Sequence, residues 1–249
     1  MSIRVAIVNE STAVSDTDVK ACMAALQLQV TEDFGPAYGM QVTLYFLPKG
    51  SKVPAGDYEL VFADNSDQVG ALGYHETTST GSPIGFVFCK DDITYGTSWT
   101  VTASHELLEM LDDPDIQTAE QQDMEDGSTI FRMKEACDVC EDDSLAYPKG
   151  GKLSDGKQIL VSDFVLPAYW VPNAVGPYDF KNHINAPLTI LSGGYIGILT
   201  VPNASWQQIT ADKNMKPGQQ YRVGGKEIKP FNRRARRMLP DAKWKPSER

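Results

Sequence analysis

The chain has 249 residues, of which 41% are hydrophobic, and a formal net charge of −10 at pH 7. That composition is typical of a folded globular protein rather than a disordered one. No apolar run approaches the roughly 18 residues that a membrane-spanning helix needs, and the first residues lack the basic, apolar and small-residue regions of a secretory signal peptide. We therefore expect no membrane partner and a cytoplasmic or particle-associated location.

Charge divides the sequence into an acidic body and a basic tail. Residues 226–249 contain nine Lys or Arg and three Asp or Glu, whereas 1–225 contain 14 and 30. We predict a globular domain over 1–225 and a tail over 226–249. Basic clusters can bind nucleic acid, but prolines interrupt this one and it has few aromatic residues. The tail is therefore expected to dock on an acidic protein surface, and nucleic acid is an unfavoured partner.

The beginning of the chain predicts a strand, a helix and two more strands. Three apolar runs predict the strands, at 3–8, 41–47 and 58–63. Ser15 or Asp16 can cap a helix that reaches about Asp33, because apolar residues recur on one helical face. Strand, helix, strand, strand is an opening typical of α/β proteins.

Two further strands precede the most informative helix. Residues 71–75 predict a short edge strand, and 83–89 predict a buried strand. The helix begins at Ser98 or Thr100. It ends at Asp113, because the proline that follows disfavours helical backbone at the residue before it.

This helix contains the sequence Ser-His-Glu-Leu-Leu-Glu at 104–109. His105 and Glu109 are four residues apart and so lie on one helical face, where both can reach the same ion. The spacing matches the zinc-peptidase motif H-E-x-x-H with glutamate in place of the second histidine, and a carboxylate is an acceptable zinc ligand. The motif predicts His105 and Glu109 as metal ligands and Glu106 as the catalytic general base.

Acidic residues cluster within and after the same helix. Residues 105–143 contain 14 Asp or Glu and only two Lys or Arg, a distribution that favours divalent cations over nucleic acid. We expect 115–128 to be a surface loop, 129–133 a short strand and 135–141 a helix or tight turn. The last of these segments has the sequence Glu-Ala-Cys-Asp-Val-Cys-Glu.

The remainder of the acidic body predicts mostly irregular structure. Residues 147–158 are rich in Gly and Lys and are expected to form turns. Gly193-Gly194-Tyr195 predicts a turn before a strand at 196–201. The complete set of elements predicts an α/β (α+β) fold with a mixed sheet, one metal-site helix, an irregular C-terminal part and a basic tail.

Four cysteines are too few for a disulfide scaffold. Cys137 and Cys140 form the only close pair, and a zinc ribbon would need a second such pair. We expect packed thiols, with a local disulfide between these two residues as the alternative. A calcium loop is the least favoured hypothesis, because the spacing of its candidate ligands does not fit an EF-hand. Those candidates are Asp138, Glu141, Asp142 and Asp143.

Three motifs together resemble the zincin-like proteins related to the EXORDIUM, or phosphate-induced, family. They are the Ser-His-Glu-x-x-Glu helix ending in Asp-Pro, the Glu-x-x-Asp-x-Cys element that begins at Glu135, and the late Gly-Gly-Tyr that ends at Tyr195. The resemblance covers roughly 71–201 and implies a zincin-like fold that binds zinc. In zincins an edge strand lies above the metal helix and pairs with extended substrate, a role that the resemblance implies for 71–75.

The same resemblance implies roles for residues outside the helix. Glu135 is the expected third zinc ligand, and Asp138 is the expected outer carboxylate that orients the ring of His105. Asp115 is one alternative third ligand and Asp138 itself is another. Two further residues are candidate oxyanion or substrate donors, His75 and Tyr195.

Two functions follow from these predictions. The first is a zinc-dependent metallopeptidase that acts on a peptide or protein substrate, with Glu106 taking a proton from water. The second is a catalytically inactive component of a larger assembly, such as a virion or injection particle, that docks through the basic tail. A site with one imidazole and two carboxylates acidifies water less than a two-histidine site does, which favours the second function, whereas the presence of Glu106 favours the first.

Overall fold

The computed structural model describes residues 2–68, 70–124, 126–201 and 205–211, together with two short strands at 222–223 and 226–227. Its combination of helices with several sheets confirms the predicted α+β class. The rest of the basic tail, 228–249, lies outside the described residues, so the domain boundary after residue 225 stays a prediction.

A five-stranded mixed sheet forms the centre of the fold. Its strands are β1 (Ile3–Asn9), β2 (Val42–Leu47), β3 (Tyr58–Ala63), β4 (Gly73–Thr77) and β5 (Pro83–Phe88). They lie in the order β2-β1-β3-β5-β4; the first four in this order are parallel, and β4 runs antiparallel to β5. The strand predicted at 71–75 is therefore an edge strand of this sheet, displaced by two residues along the chain.

The helices are α1 (Asp16–Gln29), α2 (Gly35–Tyr38), α3 (Cys89–Tyr95) and α4 (Trp99–Asp112). Ser15 caps α1, because its hydroxyl oxygen accepts the backbone N–H of Asp18 at 3.1 Å. A π-helical turn, Val30–Phe34, joins α1 to α2. The predicted helix end near Asp33 therefore lies inside this turn, four residues after α1 itself has ended.

The main hydrophobic core lies between one face of the sheet and the helices α1 and α4. Successive residues of a strand point to opposite faces, so Leu60 and Phe62 of β3 enter this core whereas Val61 faces the other side. Four apolar residues in the second half of α4 are at most 2% exposed: Leu107, Leu108, Met110 and Leu111. Burial of this stripe orients α4 and directs its histidine and glutamates away from the core.

A buried polar network fixes α4 along its own axis. The hydroxyl of Ser104 donates to Gln29 Oε1 at 2.7 Å and accepts the backbone N–H of Ser162 at 3.0 Å. Gln29 Nε2 donates in turn to the Ser162 carbonyl at 2.9 Å. Because a buried polar group without a partner is costly, this network holds the residue before His105 in one place.

Among the described residues, eight strands follow α4, and six of them are longer than two residues. The six longer strands are β6 (Ala119–Asp123), β7 (Thr129–Met133), β8 (Tyr147–Lys152), β9 (Gln158–Val161), β10 (Tyr195–Val201) and β11 (Ser205–Thr210). Four of them form an antiparallel sheet in the order β11-β10-β7-β6, and β8 pairs with β9 as a hairpin. Two short strands, β12 (Arg222–Val223) and β13 (Lys226–Glu227), also pair with each other. The strands predicted at 129–133 and 196–201 are confirmed.

Two predictions in this part of the chain are wrong. The segment 115–128 is not only a loop but contains β6, whose polar side chains stay partly or fully exposed and therefore give no apolar alternation. The segment 147–158 forms most of a hairpin rather than isolated turns. Its glycine-rich strand packs closely on α1, because a Cβ at Gly150 would lie 3.0 Å from the Cβ of Ala25.

Asp92 joins α3 to the beginning of α4. Its Oδ1 accepts the hydroxyl of Thr97 at 2.7 Å and that of Thr102 at 3.0 Å. Burial of this carboxyl group disfavours its charged form and raises the pKa of Asp92 to about 7, despite the two hydroxyl donors. The folded protein therefore binds a proton here more tightly than the unfolded chain does.

Replacing Asp92 by Asn should change the pH dependence of stability. The contribution of the wild-type carboxyl is present below its ordinary pKa near 4 and is lost as the pH rises through about 7. We expect the free energy of unfolding of Asp92→Asn, relative to wild type, to rise between pH 5 and pH 8 by up to about 3 kcal/mol. Urea unfolding of both proteins at the two pH values measures this, and an equal difference at both values would contradict it.

Candidate metal centre

Three segments of the fold bring acidic and imidazole side chains together. Helix α4 supplies its histidine and two glutamates, β4 supplies His75, and the short segment after β7 supplies Glu135 and Asp138. The second acidic segment contains a 3-10 turn, Asp138–Cys140, which agrees with the helix or tight turn predicted at 135–141. Apart from His105, whose side chain is 12% exposed, these residues are at most 7% exposed.

His105 faces two carboxylates through one ring nitrogen. Its Nε2 lies 3.2 Å from Glu109 Oε2 and 3.3 Å from Asp138 Oδ1. Two ligands of one tetrahedral zinc ion, each about 2.1 Å from the metal, are about 3.4 Å apart. Each of the two pairs, His105 with Glu109 and His105 with Asp138, is therefore spaced as two neighbouring ligands of one ion. Asp138 faces the same nitrogen as Glu109, which favours a role as a ligand over the predicted role as an outer carboxylate.

Glu109 connects the helix to the second acidic segment. Its Oε1 accepts the backbone N–H groups of Cys137 and Asp138 at 3.1 and 3.2 Å, while its Oε2 faces His105. Hydrogen bonds from backbone N–H groups to a carboxylate are among the stronger ones in proteins. They leave the outward oxygen of Glu109 in a fixed position.

Glu106 lies on the β4 side of the helix. Its Oε2 is 3.7 Å from Nδ1 of His75, and the same nitrogen is 4.0 Å from Glu109 Oε2. A Cβ at Gly73 would lie 2.6 Å from Glu106 Cγ, so the glycine at the start of β4 leaves the space that this side chain occupies. The predicted general base is thus enclosed between the edge strand and the helix.

The predicted third ligands occupy different places. Glu135 offers an oxygen within 4.8 Å of ligand atoms of Glu109 and His75, on the side of the centre next to β4. Asp138 is the carboxylate that reaches His105. Asp115 is exposed in the turn after α4 and belongs to no candidate ligand group in the described chain, which disfavours it as a ligand.

The Gly-Gly-Tyr motif closes the centre from the opposite side. Gly193 has a φ of 88°, and a Cβ at Gly194 would lie 2.4 Å from the carbonyl oxygen of Val139. These two positions therefore need glycine if β10 is to approach the 3-10 turn. The close approach allows the hydroxyl of Tyr195 to hydrogen-bond the carboxyl group of Asp138. Tyr195 is thus a direct neighbour of the candidate ligand Asp138, and its role as an oxyanion or substrate donor stays a prediction.

Burial and mutual repulsion shift the titration of these groups. Burial raises the pKa of Glu106, and burial with the charge of Glu109 raises the pKa of Asp138 to about 7. Burial and three neighbouring carboxylates raise the pKa of Glu135 well above its ordinary value. Burial also opposes charge on His105, but Glu109 and Asp138 outweigh it and raise the pKa of that imidazole. Without a cation, Glu106, Glu135 and Asp138 therefore hold their protons more tightly than ordinary carboxyl groups do.

The donor set fits a divalent cation. Imidazole and carboxylate are both ligands of zinc, whereas magnesium and calcium prefer oxygen alone. A cation would neutralise carboxylates that are otherwise held together at close range. Three groups of side chains around the centre have ligand atoms that all lie within 4.8 Å of one another: His105 with Glu109 and Cys137, His105 with Asp138 and Glu141, and His75 with Glu109 and Glu135.

Nearby residues fit other predicted sites less well. Asp142 accepts the N–H of Ser144 at 2.8 Å and Asp143 accepts that of Ser98 at 2.9 Å, so both act as caps rather than as ligands of a calcium loop. The four cysteines are buried and free, as expected of packed thiols, and burial raises the pKa of the Cys137 thiol well above its ordinary value.

A second cluster escaped prediction from the sequence. His183 Nδ1 lies 2.9 Å from Asp163 Oδ2 and 3.5 Å from Asp179 Oδ2, and both aspartates are at most 1% exposed. Backbone N–H groups of neighbouring residues, including Phe164 and Ile184, donate to the same carboxylates. The cluster ties irregular segments together. Its members lie far apart in a region without periodicity, so only the four-residue spacing of Asp179 and His183 could have indicated it.

Comparison of the chain with protein-family models, with characterised proteins and with solved structures finds no significant match. No helix among the described residues has both the length and the apolar character needed to cross a bilayer. The residues of the metal centre are therefore the basis for assigning a function.

Replacing Gly194 by Ala tests the packing that closes the centre. The new methyl group would overlap the carbonyl of Val139, so β10 must move away from the 3-10 turn. We expect a loss of roughly 1–3 kcal/mol in the free energy of unfolding. Gly151→Ala is the matched control, because nothing lies within 4 Å of a Cβ there. Equal urea midpoints for the two variants would show that the turn does not need glycine at position 194.

Proposed function

We propose that this protein is a zincin-like zinc-binding protein and that hydrolysis of peptide bonds is the activity its centre is arranged for. One observation carries the proposal: His105 Nε2 lies 3.2 and 3.3 Å from single oxygens of Glu109 and Asp138. These distances are close to those between neighbouring ligands of one zinc ion. The relation to the EXORDIUM-type zincins rests on the three motifs and is part of the proposal.

Hydrolysis at this site would require metal binding and proton transfer, and different residues provide each of them. Zinc bound by His105, Glu109 and a third carboxylate would lower the pKa of water in the site and polarise a substrate carbonyl. Glu106 lies beside these proposed ligands on α4 but is not itself one of them. Burial raises its pKa, which makes its carboxylate a stronger base. It is therefore the group that takes the proton of the attacking water and returns it to the leaving amine.

Strand β4 provides a place for an extended substrate. Among the strands that the structure describes, β4 has a neighbour in its sheet on one side only, and it packs against α4. An extended peptide can add to such an edge through backbone hydrogen bonds. That position would bring the peptide alongside Glu106, which lies between the edge strand and the helix.

The second candidate function is a zinc-binding assembly component without catalysis. It is favoured by the charge division of the chain, nine basic against three acidic residues in 226–249 and 14 against 30 before it, which would let the tail dock on an acidic protein surface. Carboxylate ligands also make a centre more anionic, so water in it is acidified less. Under this proposal the metal stabilises the fold and the tail provides the contact.

Zinc content of the purified protein tests the shared part of both functions. We expect near-stoichiometric zinc in wild type and its loss in His105→Ala, because two carboxylates remain without the imidazole that links them. His183→Ala is the comparison, because that histidine belongs to a separate candidate group with Asp163 and Asp179. Zinc lost from His183→Ala but retained in His105→Ala would assign the ion to that other cluster. Absence of zinc from wild type, with thermal unfolding unchanged by a chelator, would exclude the peptidase and any role for the metal, and would leave only docking through the basic tail.

Replacing Glu106 by Gln separates catalysis from metal binding. The side chains have the same shape, so the space beside Gly73 stays filled and zinc should be retained. We expect hydrolysis of casein or of a peptide library to fall by roughly 10²–10⁴-fold, the usual contribution of a general base. Zinc-loaded wild type without measurable hydrolysis would instead select the non-catalytic function.

A further inference from the structure

His75 is buried within the metal centre although it comes from a different element. It lies on β4 and is 7% exposed. One of its ring nitrogens lies within 4.8 Å of carboxylate oxygens of both Glu109 and Glu135. The edge strand therefore directs an imidazole toward the same glutamate that His105 faces from α4.

The hydrogen bonds of His75 do not account for its burial. Its Nδ1 is 3.7 Å from the nearest oxygen of Glu106 and 4.0 Å from that of Glu109, longer than ordinary hydrogen bonds. Its Nε2 is buried and has no hydrogen-bond partner among the described residues. By contrast, the orientation of the His183 ring is explained by a 2.9 Å contact between its Nδ1 and Asp163 Oδ2. A buried ring with an unpartnered nitrogen, next to several carboxylates, has the surroundings of a metal ligand.

We propose that His75 is a ligand of the metal centre, which then binds zinc through two imidazoles, one from β4 and one from α4. This proposal rests on the zinc-binding function proposed above. The motif on α4 lacks the second histidine of H-E-x-x-H, and the neighbouring strand supplies it. His75, Glu109 and Glu135 have ligand atoms within 4.8 Å of one another, and Glu109, which also lies 3.2 Å from His105, connects the two imidazoles.

This assignment replaces the predicted role of His75 as an oxyanion donor. The near neighbours of His75 are the carboxylates of Glu106, Glu109 and Glu135, which are surroundings suited to a metal ligand. A second neutral imidazole ligand also adds no negative charge, so the metal retains more of its ability to acidify water. The edge strand and the metal helix would be joined through the ion.

Nitrogen NMR of the histidine rings tests the proposal directly, because the chain has only three histidines. The wild-type protein, labelled with ¹⁵N-histidine, is recorded metal-free and after addition of zinc, and His75→Ala and His183→Ala assign the signals. We expect ring nitrogens of two histidines, His75 and His105, to move to the shift of a metal-bound nitrogen. The signals of His183 should stay in place.

The outcomes separate the two proposals. Movement of the His105 signals alone would overturn the role of His75 and leave the zinc-binding function intact. No movement of any histidine, with no zinc retained, would overturn both. In the variants, His75→Ala should weaken zinc binding by more than the ~10–100-fold that loss of an outer hydrogen-bond partner costs, while His183→Ala should bind as wild type does. If His75→Ala does not fold, the wild-type spectra still decide.

Discussion

The carboxylate of Glu109 is the contact on which the arrangement of the centre depends. One oxygen accepts the N–H groups of Cys137 and Asp138, and the other lies 3.2 Å from His105. A single side chain thus orients the helix, the second acidic segment and the imidazole relative to one another. Histidine at this position could not do the same, because it has no second acceptor to offer the two backbone N–H groups once it binds a metal. The glutamate therefore has a structural role that a histidine at the same position could not fill.

The centre concentrates charge that the fold itself does not neutralise. Buried carboxylates are tolerated only when they are paired, protonated or bound to a cation. Here the charged partners of Glu109 and Asp138 are imidazoles, which carry one positive charge each at most. The apolar stripe of α4 and the network around Ser104 hold the helix in place regardless of this repulsion. The surrounding fold thereby keeps the acidic side chains close enough together to bind an ion.

Residue spacing and apolar runs predicted those parts of the structure that are determined within a single helix or strand. The four-residue spacing of His105 and Glu109 implies a shared face in any helix, and the apolar runs of β1, β3 and β5 imply buried strands. Elements held by backbone pairing, such as β6, carry no apolar pattern and were predicted as loops. The direction of Asp138 and the enclosure of His75 depend on how β4, β10 and the 3-10 turn meet. Such long-range contacts have no periodic signal in a single sequence, so the motifs could indicate the participants but not their arrangement.

The order of the motifs along the chain has a consequence for how the protein folds. The centre draws on residues from His75 to Tyr195, and the Gly193-Gly194 turn closes it last in chain order. Contacts between such distant positions require large loops to close and form late in folding. The main core shares some of these long-range contacts, because it joins the first strands, α1 and α4 to Ala136, Cys137, Val161 and Phe164. A metal ion would therefore bind between segments that the core also holds together, unlike a zinc finger, in which the ion itself organises the chain.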